Sequence, residues 1–119
     1  MKDQKNADLL RRTKAFAMRV IRLSASLPKT RESEVLGRQV LRSGTSIGAN
    51  YREASRARSR LEFSAKVGDS LKELAETAYW LDLLLESGIM KPPLLSVLVE
   101  ECDELTAIFT IIHKKSRVA

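Results

Sequence analysis

The stretch RESEVLGRQVLRSGTSIGANYREASRARSR, residues 31–60, decides the fold. At about 100° per residue it reads as one helix with four chemically different sides. Arg31, Arg38, Arg42, Arg52, Arg56 and Arg60 share an arc of roughly 80° and form a basic stripe. Leu36, Val40, Ile47, Tyr51 and Ala54 lie opposite. Gln39, Ser43, Ser46, Asn50 and Glu53 fill one flank, and Gly37, Gly44, Gly48 and Ser55 the other. A helix that only closes a core needs two sides. The glycines and hydroxyls between Arg42 and Gly48 would also suit a loop, since each Gly costs about 1 kcal/mol against Ala in a helix. The stripes keep phase across that segment, however, so a continuous helix over 30–57 is predicted. Thr30 serves as its N-cap, and Glu32 and Glu34 complement the dipole of its first turns. The glycine flank then admits a neighbouring helix at close range.

Working outward, a first helix is predicted over 8–26, with Asp8 as N-cap and Leu27-Pro28 as the stop. Leu9, Thr13, Phe16, Val20, Leu23 and Leu27 point inward, and Arg11, Arg12, Arg19 and Arg22 form a nearly all-positive opposite face. A break near Arg58-Ser59 leads to a third helix over 60–87. Its seam is Phe63, Val67, Leu71, Leu74, Ala78, Leu81 and Leu85, at near-heptad spacing. A second line, Lys66, Ser70, Glu73, Thr77, Trp80 and Leu84, runs beside it. Tyr79, Trp80, Leu83 and Leu84 together form a candidate oligomer interface. Gly88 follows as a C′ glycine and Pro92-Pro93 opens a last helix over 92–113. Leu95, Leu98, Cys102, Leu105, Phe109 and Ile112 form its apolar stripe, and the tail from Lys114 to Ala119 is expected to fray. Short connections make residues 1–119 a single all-α domain, an antiparallel up-down-up-down four-helix bundle.

Composition agrees: five glycines, three prolines and 5% aromatics in 119 residues suit helices and not a sheet. No apolar run approaches the ~20 residues that span a bilayer, and the first residues lead into a charged helix, not an apolar signal core. A cytoplasmic protein without membrane contact is expected. The single cysteine, Cys102, permits no intrachain disulfide and sits on an apolar stripe as an inert thiol. With His113 as the one histidine, zinc motifs, a Ser-His-Asp triad and a Cys-His pair are unsupported. Gly44-Thr45-Ser46 lacks the Gly-Lys-Ser/Thr ending and the preceding strand of a phosphate loop. Glu73 and Glu76 lack the Glu-x-x-His companions of a di-metal bundle. No catalytic residue, metal or cofactor is predicted, and the chain does not read as an enzyme. Ser43, Ser46, Asn50, Ser70 and Glu73 read instead as a register-fixing polar network, with Glu73 accepting from Ser46, Asn50 or the Lys66 side.

The formal charge of +6 conceals an asymmetry: residues 1–60 carry net +10 and residues 61–119 net −4. Arg11, Arg19, Arg22, Arg38, Arg42, Arg52 and Arg56 are candidate contacts to RNA or DNA phosphates, because arginine binds phosphate bidentately and a long row matches an extended polyanion. The bland alternative pairs the stripe with Glu62, Asp69, Glu76 or Glu86 of another copy, which makes the protein a self-assembling adaptor whose ligand is another protein. No aromatic platform for stacking and no helix-turn-helix is evident, so nucleic-acid recognition would rest on backbone and shape.

Gln39 through Ala54, followed by Glu62-Phe63 and by Gly68 through Leu74, resembles the bacterial four-helix-bundle proteins encoded in 23S rRNA intervening sequences. The family pattern, roughly Gln…Ser-Ile…Asn…Glu and then Glu-Phe…Ser-Leu…Glu, is matched in order at Gln39, Ser46, Asn50, Glu53, Ser70 and Glu73. Ala54 stands where the family usually has Gly. The resemblance implies a ring-like homopentamer of antiparallel bundles. It also implies a similarity in fold to the accessory proteins of diversity-generating retroelements, whose basic barrel binds nucleic acid and a reverse transcriptase; that likeness transfers by fold alone.

Overall fold

The structure, a computed structural model, describes residues 2–117. Four helices occupy nearly all of them: α1 (Lys2–Ser26), α2 (Arg31–Ser55), α3 (Arg60–Glu86) and α4 (Pro92–Arg117). Local chemistry sets most boundaries. Thr30 and Ser59 sit in extended backbone, and their hydroxyls accept the N–H groups of Ser33 (3.1 Å) and Glu62 (3.0 Å), satisfying donors that the first turns leave open. Gly88, at φ +75°, turns the chain out of α3 through the left-handed region that side chains disfavour.

Three boundaries differ from expectation. α1 begins at Lys2, not at Asp8, because nothing in the preceding residues breaks a helix; Asp8 lies within it and pairs with Arg11. α2 ends at Ser55 with Arg56 as its C-cap, so Arg60 belongs to α3 and leaves the stripe. α4 does not fray at Lys114. The Arg60 guanidinium donates to the carbonyls of Lys115 (2.9 Å) and Ser116 (3.0 Å), which extends the helix to Arg117. Val118 and Ala119 lie outside the described residues.

Cross-helix pairings establish the antiparallel order. Gly37 of α2 faces Leu27, just beyond the end of α1, and Gly44 and Gly48 face Val20 and Thr13 of α1. Ser43 and Ile47 meet Thr77 and Ser70 of α3, and Gly68 and Leu74 meet His113 and Cys102 of α4. In each pair one number rises as the other falls. α1 and α4 close the bundle at wider backbone spacing than the other three neighbouring pairs. The body measures 48 × 22 × 19 Å.

The core holds Phe16, Val20, Val40, Ile47, Val67, Leu74, Leu81, Leu95, Leu105 and Phe109, all fully buried. Tyr51 packs edge-on against Phe109 (5.3 Å between centroids) and donates its hydroxyl to Asn6 (2.7 Å), tying α2 to α4 and α1. Burial raises its phenol above the ordinary value. The seam of α3 runs between the two lines read from sequence. Val67, Ser70, Leu74, Thr77, Leu81 and Leu84 are buried, Phe63, Leu71 and Leu85 are half-buried, and Ala78 is exposed. Ser70 and Thr77 enter because partners on α2 accept or share their hydroxyls, so burying them leaves no unmet hydrogen bond. Leu84, expected at an oligomer interface, is 0% exposed and belongs to this core.

Candidate functional site

The charged residues divide into those held by carboxylates of a neighbouring helix and those without a partner. Arg42 leans off the outer face of α2 toward α3 and donates to Glu73 (3.2 Å) and to Glu76. Partial desolvation opposes its charge, but Glu76 and then Glu73 outweigh it, and its pKa rises. Glu73 therefore has Arg42 as its partner, not the expected Ser46, Asn50 or Lys66. About two turns earlier on α3, Lys66 binds Glu53 (2.9 Å), and that bond leads the causes raising the lysine pKa. Arg12 closes the α1–α4 seam with a fork onto Glu101 (3.0 and 2.7 Å) and a longer bond to Glu104 (3.3 Å). The Glu101 bond is the largest cause of its raised pKa. Bidentate geometry makes this the best-formed ion pair among the described residues.

The polar network is narrower than predicted. Ser43 and Thr77 share a hydroxyl–hydroxyl bond (2.8 Å), Thr77 donates to the Glu73 carbonyl (2.7 Å), and Ser70 donates to the Ile47 carbonyl (3.0 Å). Ser46 turns back on its own helix to the Arg42 carbonyl (2.6 Å). Gln39 accepts only a long bond from Arg42 (3.5 Å), and Asn50 makes no side-chain hydrogen bond among the described residues. Glu53 and Glu73 serve ion pairs. The sequence reading named Thr77, Lys66 and Arg12 but not these partners, because each pairing is recognisable only when the facing side chain is known.

Of the candidate phosphate contacts, Arg38 is held loosely by Glu34 (3.7 Å) and Arg11 by Asp8 along one helix face, while Arg52 and Arg56 form no ion pair among the described residues. These four project from the outer faces of α1 and α2. Between the helices lies a groove of about 330 Å³, floored by Thr13, Ala17, Thr45, Gly48 and Ala49 and flanked by Lys14 and Arg52. Its floor is low because the α2 glycines bring the backbones together. A Cβ at Gly48 would stand 3.1 Å from the Thr13 hydroxyl. Lys14 had not been singled out; its place one turn from Leu10 and Ala17 would have suggested it. Arg19 follows Arg12 in helical phase on the α4 side of α1, and Arg22 follows Arg11 on the outer face, two to three turns beyond the Lys14–Arg52 groove. Arg42, spent on Glu73 and Glu76, leaves the free set.

Carboxylate-clamped seams and a basic α1–α2 face define an all-helical four-helix-bundle protein; among the described residues no group of His, Cys, Asp and Glu is placed to hold a metal ion. The chain belongs to the 23S rRNA-intervening sequence protein family, whose profile matches residues 5–110. It is similar to a crystal structure from Bacteroides thetaiotaomicron, a protein of unknown function from the S23 ribosomal protein family. The two share 35% identity and a TM-score of 0.86 over 92% of this chain and 98% of that one. No curated protein matches the chain.

Proposed function

We propose that the protein is a non-enzymatic, cytoplasmic homo-oligomer, pentameric as its family resemblance implies, that holds RNA or DNA phosphates along the outer face of α1 and α2. The observation that carries this reading is the separation of charges. The bundle neutralises Arg12, Arg42 and Lys66 with its own carboxylates, yet leaves Arg52 and Arg56 without partners beside a small-residue groove flanked by Lys14. A stability role asks for pairing, whereas a polyanion site asks for cations held apart from acids. No helix of the described residues is long and apolar enough to cross a membrane. Fluorescence anisotropy against structured RNA and duplex DNA at two salt concentrations tests the reading. Binding at low salt that falls steeply with added salt is expected, and no binding at low salt overturns it.

The alternative is an adaptor whose basic and acidic faces interlock between subunits, with no nucleic-acid ligand. Asp82, Glu86, Glu100 and Asp103, which form no ion pair among the described residues, speak for it. The pairing of Arg42 within its own chain speaks against it. Charge reversal at Arg38 and Arg56 separates the two: the adaptor dissociates, whereas the nucleic-acid binder keeps its mass and loses ligand.

A further inference from the structure

Two apolar patches stand exposed on different sides of the bundle. On the outer face of α3, Tyr79 is 56% exposed and braced edge-on against Trp80 (5.1 Å between centroids), with half-buried Leu83 one turn on. On the flank of α4 that faces α1, Leu94 is 62% and Val97 48% exposed. The α4 flank continues through Glu101, Glu104 and Ile108 to Ile111, at heptad spacing one residue out of phase with the core stripe. The bundle uses the middle of this second line, where Arg12 holds Glu101 and Glu104, and leaves Leu94 and Val97 at one end exposed.

Both patches lie at the same end of the molecule, where α1 and α3 finish and α2 and α4 begin. Each is bordered by charges that lack ion partners among the described residues, and the signs are opposite. Arg19 of α1, in helical phase with Arg12, lies toward Leu94 and Val97, whereas Asp82 and Glu86 of α3 flank Tyr79. The backbones of α1 and α4 are also the most widely spaced of the four neighbouring pairs. A ring fixed by its neighbour, such as Tyr79, docks on an exposed apolar pair at little cost in side-chain entropy.

We infer that the outer face of α3 in one copy docks along the α1–α4 seam of the next, with Tyr79 against Leu94 and Val97 and with Asp82 and Glu86 against Arg19. This rests on the homo-oligomer part of the proposed function and adds which surfaces meet. Because donor and acceptor faces differ, the contact is head-to-tail. Because they share one end of the bundle, successive copies stand parallel, which is how a barrel closes around an axis along the helices. The α1–α2 groove stays outside the contact.

Sedimentation velocity on the full chain tests it with two variants at exposed positions, Tyr79→Asp and the pair Leu94→Asp/Val97→Asp. Circular dichroism should show each variant as helical as the wild type. Each alone should sediment as a monomer, and an equimolar mixture should form a one-to-one dimer, because each variant retains the face that the other lacks. A monomeric wild type, an oligomer that survives either variant, or a mixture that stays monomeric overturns the docking. Lys14→Glu/Arg52→Glu, which touches only the groove, should leave the wild-type mass unchanged, so a failure of nucleic-acid binding is read separately from a failure of assembly.

Discussion

Cys102 shows how little a reactive residue type means without its surroundings. It is 1% exposed, its thiol approaches the Leu74 carbonyl (3.6 Å), and burial, with Asp103 and Glu101 adding to it, pushes its pKa from 9.0 up to about 12. A folded pKa above the unfolded one contributes stability that is complete below about pH 9 and fades as pH rises toward 12. Urea melts between those values should therefore show a steeper alkaline loss for the wild type than for Cys102→Ala. At pH 8, a thiol reagent should label Cys102 only as fast as the chain unfolds. Glycines make the complementary case. A Cβ at Gly44 would lie 2.9 Å from both γ-carbons of Val20, a branched side chain that cannot swing aside. Overpacking of about 1–3 kcal/mol then exceeds the helix-propensity gain of about 1 kcal/mol, so Gly44→Ala should lose about 1 kcal/mol in chemical denaturation. At Gly68 the nearest atom is the His113 ring nitrogen, 3.3 Å away at the end of a movable side chain, and Gly68→Ala should gain up to about 1 kcal/mol.

At the scale of the element, α2 and α3 form the most closely packed pair, and hydroxyls fix their register where leucine alone would allow sliding. Thr77→Val leaves the Ser43 hydroxyl buried without its bond, at a cost of about 1–3 kcal/mol, whereas Ser43→Ala/Thr77→Val removes both partners and should recover part of that loss. A double-mutant cycle by urea unfolding measures the coupling, and additive losses would show that the bond contributes nothing. This pair also marks where the sequence was legible. The inward faces of α1 and α4, the glycine flank of α2, the Thr30 cap and Gly88 were all readable, because each follows from periodicity or from a single residue's backbone chemistry. The α3 seam was read one line aside: apolarity alone favours Leu71, Ala78 and Leu85, and only the hydroxyl partners on α2 explain why Ser70, Thr77 and Leu84 are buried instead. The early start of α1 escaped for a related reason. A cap residue such as Asp8 ends a helix only where the preceding chain declines to continue it.

For the whole molecule, the question is which charges remain available once the fold has used its share. Helical phase groups Arg38, Arg42, Arg52 and Arg56 on one side of the helix read from sequence, but phase carries no information about what faces each of them. Glu73 and Glu76 claim Arg42 from more than thirty positions along the chain, and Arg60 is drawn off to cap α4. What remains outward on α1 and α2 is Arg11, Lys14, Arg22, Arg38, Arg52 and Arg56. If these contact phosphate, each releases bound counterions, and log Kd against log salt should steepen by about 0.9 per contact on duplex DNA. Lys14→Ala/Arg52→Ala should then flatten that slope by about 2 and weaken all sequences alike, since backbone contacts carry no base information. Arg42→Ala should leave the slope nearly unchanged but lower stability, because its work is done between α2 and α3. Titrations at four salt concentrations distinguish the two, and equal slope changes for Arg42 and Arg52 would mean that the ion pairs with Glu73 and Glu76 open when the ligand arrives.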